Sequence, residues 1–280
     1  MDSVSLSLVM VAAVMHAGWN LFVKKDQDQF LSLTVMAATS AVLCAVMLPF
    51  VGSVAPQSWS VLAISAPLHV GYRVCLSMGY RYGDMSQVYP IARGATPLMV
   101  SLISVVVLGV DLGGTKIAGI VTIAAGIMGL TFYKGFPKNN EGRAIAFALG
   151  TAAFIAVFTL LDSKGSRLSG NSLAYVLWLF VLEGAMMTMV AAAANGAKLK
   201  GYVKANGKTC LVNGIVMSAA HGLIIMALSR SQPALVSALR ETSVIFGVIF
   251  SWAVLKERVG AVRLACTGAV TGGLLLAILG

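Results

Sequence analysis

Arginine, histidine and glutamate side chains stand in the middle of long apolar runs of this chain. A charge at membrane depth costs at least ~2.5–3.5 kcal/mol on insertion scales, so such residues mark a functional site by default. Arg93 and Arg240 each lie about eight residues inside their run; at ~1.5 Å per residue that is some 12 Å deep in a half-thickness of about 15 Å. They either line a central cavity or serve as structural or snorkelling groups. Ser65, His69, Arg73 and Ser77 recur every four residues on one helical face, bordered by Tyr72. His16, Trp19 and Asn20 share another face, offering a titratable ring, an aromatic platform and an amide. Asn213, Ser218 and His221, and Ser237, Arg240 and Glu241, add two more polar faces. Each histidine is either a packing residue or a ligand and proton carrier.

Three deep arginines, Arg73, Arg93 and Arg240, face two deep acids, Glu183 and Glu241, with Asp162 read as close to a helix end. An excess of fixed cation favours an anionic or zwitterionic solute, whose carboxylate, phosphate or phosphonate a guanidinium holds bidentately. Glu241 can instead neutralise Arg73 or Arg93, but not its neighbour Arg240, and that would weaken the preference. Glu183 and Glu241 are also the candidates for carrying a coupled proton.

These residues need helices that cross a bilayer. Of 280 residues 58% are hydrophobic and 11% charged, which excludes an ordinary soluble domain. Apolar stretches fall near 4–23, 30–51, 59–82, 85–109, 114–133, 143–163, 171–195, 208–230, 233–255 and 259–279, predicting an all-α integral membrane protein of about ten transmembrane helices. The first stretch follows Asp2 and precedes Lys24 and Lys25, the reverse of a signal peptide with its basic leader. Connections after odd-numbered helices carry thirteen of the 20 Lys and Arg residues, whereas the other side carries Lys116, Lys164, Arg167 and Arg230. The positive-inside rule then predicts both termini outside. The net charge of +10 is thus read as topology, with no nucleic-acid partner. Cys44, Cys75, Cys210 and Cys266 form no metal-binding or disulfide pattern. No cofactor or metal is expected, and no nucleotide-binding loop is present.

Sliding the chain by 147 residues superposes Arg93 on Arg240, Thr96 on Ser243, Leu108 on Leu255 and Gly126 on Gly273. The repeat divides the chain at 1–135 and 136–280, five helices each. An odd number of crossings inverts the second half relative to the first, as in secondary transporters with a midplane site. Gly114, Ala118, Thr122 and Gly126, matched by Ala261, Ala265, Ala269 and Gly273 and joined by Gly268 and Gly272, are small residues at helix-packing spacing. Pro90 and Pro97 can bend the helix carrying Arg93, and Pro233 starts another.

The segments His16 to Lys25 (HAGWNLFVKK), Tyr80 to Asp84 (YRYGD), Tyr89 to Leu98 (YPIARGATPL), Ser229 to Ser243 (SRSQPALVSALRETS) and Leu255 to Arg258 (LKER) resemble the EamA family of the drug/metabolite transporter superfamily. The resemblance spans both halves. It implies a ten-helix carrier with two repeats around a central cavity that moves small metabolites. Its YPIARG and HAGWN segments also resemble a subgroup sometimes associated with phosphonate use. Two departures stand out: Gly109 to Gly114 replaces the usual acidic connection after the fourth helix, and many members keep both termini cytoplasmic. The expected function is secondary transport of a small anionic or zwitterionic metabolite across the cytoplasmic membrane by a monomer or weak homodimer. The expected substrate-binding set is His16, Trp19, Asn20, His69, Tyr72, Arg73, Tyr89, Arg93, His221, Arg240 and Glu241. A flippase for a lipid-linked phosphate is the nearest rival. A channel lacks a filter motif, and an enzyme lacks HExxH or GxSxG, so no catalytic residue is expected.

Overall fold

The computed structural model describes residues 2–26, 28–83, 85–132, 142–255 and 260–279. Its elements are α1 (Ser3–Lys25), α2 (Gln29–Met47), α3 (Trp59–Tyr82), α4 (Met85–Val106), α5 (Gly114–Phe132), α6 (Gly142–Leu168), α7 (Ser172–Leu228), α8 (Pro233–Arg240), α9 (Thr242–Leu255) and α10 (Ala261–Leu279). No strand occurs among the described residues. With so few polar side chains, backbone groups in lipid must be satisfied within each segment, and helices do this. Among the described residues six stretches are long and apolar enough to cross a bilayer; Ile91–Val106, Gly114–Gly129 and Leu264–Leu279 are shorter apolar helices.

Polar residues at the ends of the runs fix where helices begin. The Asp2 carboxylate accepts from the Ser5 N–H at 3.0 Å, Asp28 from Leu31 at 3.1 Å and Asn171 from Ala174 at 3.1 Å, each an N-cap. Ser5, aided by Arg230, holds the exposed Asp2 carboxyl below its ordinary range, which keeps that cap ionised. At the other end of α7, Arg167 donates to the carbonyls of Leu228 (3.1 and 3.2 Å) and Ser231 (2.5 Å). A guanidinium there satisfies carbonyls that the helix leaves open.

Two expected elements differ. The helices predicted over 171–195 and 208–230 belong to one helical element, α7, and its chain reverses direction within it. The reversal follows from shared partners: Glu183 and Met217 both reach Arg73, and the rings of Phe180 and His221 lie 6.5 Å apart. Asp26 and Asp28, before α2, hold the reversal through Tyr202 and Lys198. The single helix predicted over 233–255 is interrupted at Glu241 into α8 and α9. By contrast, α4 continues through Pro90 and Pro97.

The small-residue seam forms between α5 and α10, centred on Gly119, Gly126 and Gly273, of which Gly119 lies outside the expected stripe. A Cβ on Gly119 would lie 2.6 Å from the Gly273 carbonyl, and one on Gly273 would lie 2.7 Å from the Gly119 carbonyl. Gly126 and Gly273 of the predicted stripe join the seam, while Gly114, Gly268 and Gly272 face open space. Gly273→Ala is therefore expected to lower stability by about 1–3 kcal/mol through overpacking against backbone that cannot yield. Gly268→Ala is expected to leave the melting temperature in detergent unchanged or higher, and an equal fall in both variants would show that the seam does not limit packing.

Candidate functional site

Ionisable and aromatic side chains, each at most 7% exposed, gather between the helices: His16, Trp19, His69, Arg73, Arg93, Asp162, Glu183, His221, Arg240 and Glu241. They form two adjoining groups, one dominated by arginine and one by acid.

The arginine group joins α1, α4, α7 and the α8–α9 interruption. Arg93 pairs with Glu241 (Nε to Oε2, 3.1 Å) and donates to the Ser243 hydroxyl at 3.1 Å and the Arg240 carbonyl at 3.4 Å. The two repeat-equivalent arginines thus meet. The interruption makes this possible by freeing carbonyls between α8 and α9. It also puts Arg240 at the C-terminal end of α8 and Glu241 at the start of α9, signs that suit the two helix dipoles. Arg240 Nη2 lies 3.4 Å from His221 Nε2, and His221 Nδ1 lies 3.1 Å from the Met217 carbonyl. Trp19 packs edge-on against His16 at 4.8 Å and lies 6.3 Å from the His221 ring. Its buried indole nitrogen has no hydrogen-bond partner among the described residues. A buried donor of this kind is costly unless something accepts from it.

The acid group joins α3, α6 and α7. Asp162 accepts from the Ser65 hydroxyl at 2.5 Å and the Tyr175 hydroxyl at 2.9 Å, and its second oxygen lies 2.9 Å from His69 Nε2. The other ring nitrogen of His69 lies 3.9 Å from Glu183, which pairs with Arg73. Arg73 Nη1 also contacts the Met217 sulfur at 3.4 Å, so Met217 links the two groups.

Of the expected site residues, His16, Trp19, Arg93, His221, Arg240 and Glu241 come together, and His69 and Arg73 stand in the adjoining group. Tyr72 packs on Phe158 at 5.8 Å, next to His69. Asn20 turns back to its own helix, donating to the His16 carbonyl at 2.7 Å. The Tyr89 side chain lies outside the described residues. Ser77 and Asn213 likewise bond their own helices, at the carbonyls of Val74 and Thr209.

Asp162 is the residue that sequence reasoning misplaced. The apolar run breaks after residue 163, but α6 continues to Leu168, so Asp162 lies almost two turns inside it and is 1% exposed. Three deep acids therefore balance three deep arginines among the described residues, and the net cation excess read from the sequence disappears. What replaces it is a separation of charge. The arginine group has two guanidiniums over one carboxylate, and the acid group two carboxylates over one guanidinium.

A separate cavity of about 430 Å³ is lined by Asp2, Lys116, Arg230, Ser231, Gln232, Leu235 and Leu239. Leu239 of its lining precedes Arg240 in the chain.

Comparison with known proteins gives three results. A model of the EamA-like transporter family matches residues 3–132 and 142–279. No curated protein matches the chain. Among 29 matching chains of known structure, a crystal structure described only as that of a protein superposes with a TM-score of 0.79 over 100% of this chain and 98% of its own, at 16% identity, which shows a shared fold.

Proposed function

The chain belongs to the EamA-like transporter family, a multi-pass membrane transporter of the drug/metabolite type, and we propose that it moves a small anionic or zwitterionic metabolite of amino-acid, organophosphate or phosphonate type. The observation that carries this reading is the arginine group: Arg93 and Arg240, equivalent in the repeat, meet in one buried site, Arg93 on Glu241 and the Arg240 carbonyl, and Arg240 on His221. An anionic group there gains charge-assisted hydrogen bonds from guanidiniums and, from Trp19 Nε1, a donor that otherwise stays unsatisfied. Glu241 pairs with Arg93, and an arriving carboxylate or phosphonate competes with it for the guanidinium.

In this reading two inverted five-helix halves alternate access around the site, as secondary transporters do. The cavity lined by Lys116 and Arg230 serves as the vestibule on the outer side. Loop charges favour a cytoplasmic membrane with both termini outside. The carrier performs no covalent chemistry and works as a monomer or weak homodimer.

Ligand binding tests the reading across the candidate solute classes. A ligand of the folded state stabilises by RT ln(1 + [L]/Kd), about 2.7 kcal/mol at a hundredfold excess over Kd. The purified protein is to be melted against amino acids, organophosphates, phosphonates, sugars and hydrophobic cations. Stabilisation by an anion or zwitterion that is lost in Arg240→Gln is the expected result. Stabilisation by hydrophobic cations alone would overturn it and make the deep arginines structural.

A further inference from the structure

The acid group has a chemistry that substrate binding leaves unused. His69 stacks flat on Phe158, with ring centroids 3.8 Å apart and planes at 25°. Its plane is therefore fixed with both nitrogens presented to carboxylates, Nε2 to Asp162 at 2.9 Å and Nδ1 to Glu183 at 3.9 Å. A neutral imidazole carries one N–H and one lone pair, so one of its nitrogens must turn a lone pair toward a carboxylate. Only the imidazolium turns an N–H toward both, a hydrogen bond to Asp162 and a longer charge contact to Glu183.

Charge counting leads to the same point. Asp162 and Glu183 are 1% exposed and only Glu183 pairs with a guanidinium, that of Arg73, which leaves one buried negative charge in excess when His69 is neutral. Among the described residues, the other titratable groups turned toward this cluster are Tyr72 on α3, Tyr175 and His221 on α7, and Cys44 on α2. The cations of α4 and α8, Arg93 and Arg240, engage Glu241 and His221 instead. One proton on the cluster restores neutrality.

From this geometry we infer that Asp162, His69, Glu183 and Arg73 form the binding site for one transported proton, with His69 as the group that takes it up. The proton adds to the lone pair of the unprotonated ring nitrogen, giving an imidazolium between two carboxylates, and leaves by the reverse step with no electron transferred. The inference deepens the transport reading and rests on it. The arginine group has one positive charge in excess and the acid group one negative, joined through Met217. A monoanion in the first together with a proton in the second leaves both neutral. Either alone leaves a net charge in a low-dielectric interior, where it is strongly penalised. The carrier therefore moves the two together.

The test needs no substrate. Proteoliposomes on a solid-supported membrane are to be given a jump from pH 8 to pH 6 with no solute gradient, and the transient charge displacement recorded. The wild type is expected to give a displacement that His69→Gln and Asp162→Asn lower at least fivefold. Ser77→Ala, two turns from His69 on the same helix, is expected to keep it. Asp162→Asn removes a charge from a buried pair and can fail to fold; His69→Gln keeps a donor for Asp162 and carries the test by itself, with size-exclusion behaviour as the control for folding. Full displacement in well-folded His69→Gln, or a wild-type signal no larger than that of protein-free liposomes, overturns the proton site. A ligand panel that fails with the displacement intact would overturn the substrate reading and leave the proton site standing.

Discussion

Replacing Arg73 with Gln is expected to destabilise the folded protein by about 3–5 kcal/mol, because the change strands Glu183 as a buried, uncompensated carboxylate. His69 offers only partial relief, since its nearer acid is Asp162. Glu183→Gln is expected to cost a similar amount, by stranding the guanidinium. Replacing both with Met should recover most of the loss, because apolar side chains of similar volume need no partner and Met217 already lines the space. Denaturant titration in detergent of the two single variants and the double variant forms a mutant cycle that isolates the pair. Additive losses would show that the two charges do not depend on each other. Transport should fall in both single variants, since the acid group then holds a different net charge, whereas the double variant keeps its one negative charge in excess.

Arg93→Gln and Arg240→Gln are expected to abolish transport while leaving insertion intact. A hydrogen bond to a charged group is worth about 1.5–3 kcal/mol, so losing one guanidinium from the anion's partners weakens binding roughly ten- to hundredfold. The variants differ in a second respect. Arg93 forms the ion pair with Glu241, so its removal also lowers stability, whereas Arg240 faces the imidazole of His221. Lysine at either position keeps the charge and loses the planar fork, and is expected to recover only part of the activity. Counterflow of the solute identified by the melting panel, measured in proteoliposomes at equal protein incorporation, checks both. Wild-type rates in both variants would remove the arginines from the site.

The sequence carried the positions of the polar faces with unusual clarity, because in lipid an ionisable residue is visible against an apolar background. His16, Trp19, His69, Arg73, Arg93, His221, Arg240 and Glu241 all stand out in that way, and all are buried in the two groups. Asp162 escaped because Lys164, Gly165 and Ser166 read as the end of the apolar run after residue 163; they are instead part of α6, which is held there by Ser163 and Arg167 on the Leu228 carbonyl. Hydropathy locates where a chain stops being apolar, which is not where its helix stops. The break between α8 and α9 was equally hidden, since Arg240, Glu241 and Thr242 interrupt no propensity strongly enough to end a helix.

Composition, loop charge and the 147-residue repeat by themselves determined that this is a helical membrane protein with two related halves and charged residues at membrane depth. Those features are one-dimensional, because the bilayer acts on each segment separately. Which acid meets which arginine was decided only by tertiary structure. Glu183 belongs to Arg73 and Glu241 to Arg93 because α7 reverses and brings both its limbs to α3, and because the interruption after α8 turns Glu241 toward α4. Sequence spacing fixes which residues share a face; the packing of separate helices fixes which faces meet, and that pairing divided a balanced set of charges into a cationic side and an anionic one.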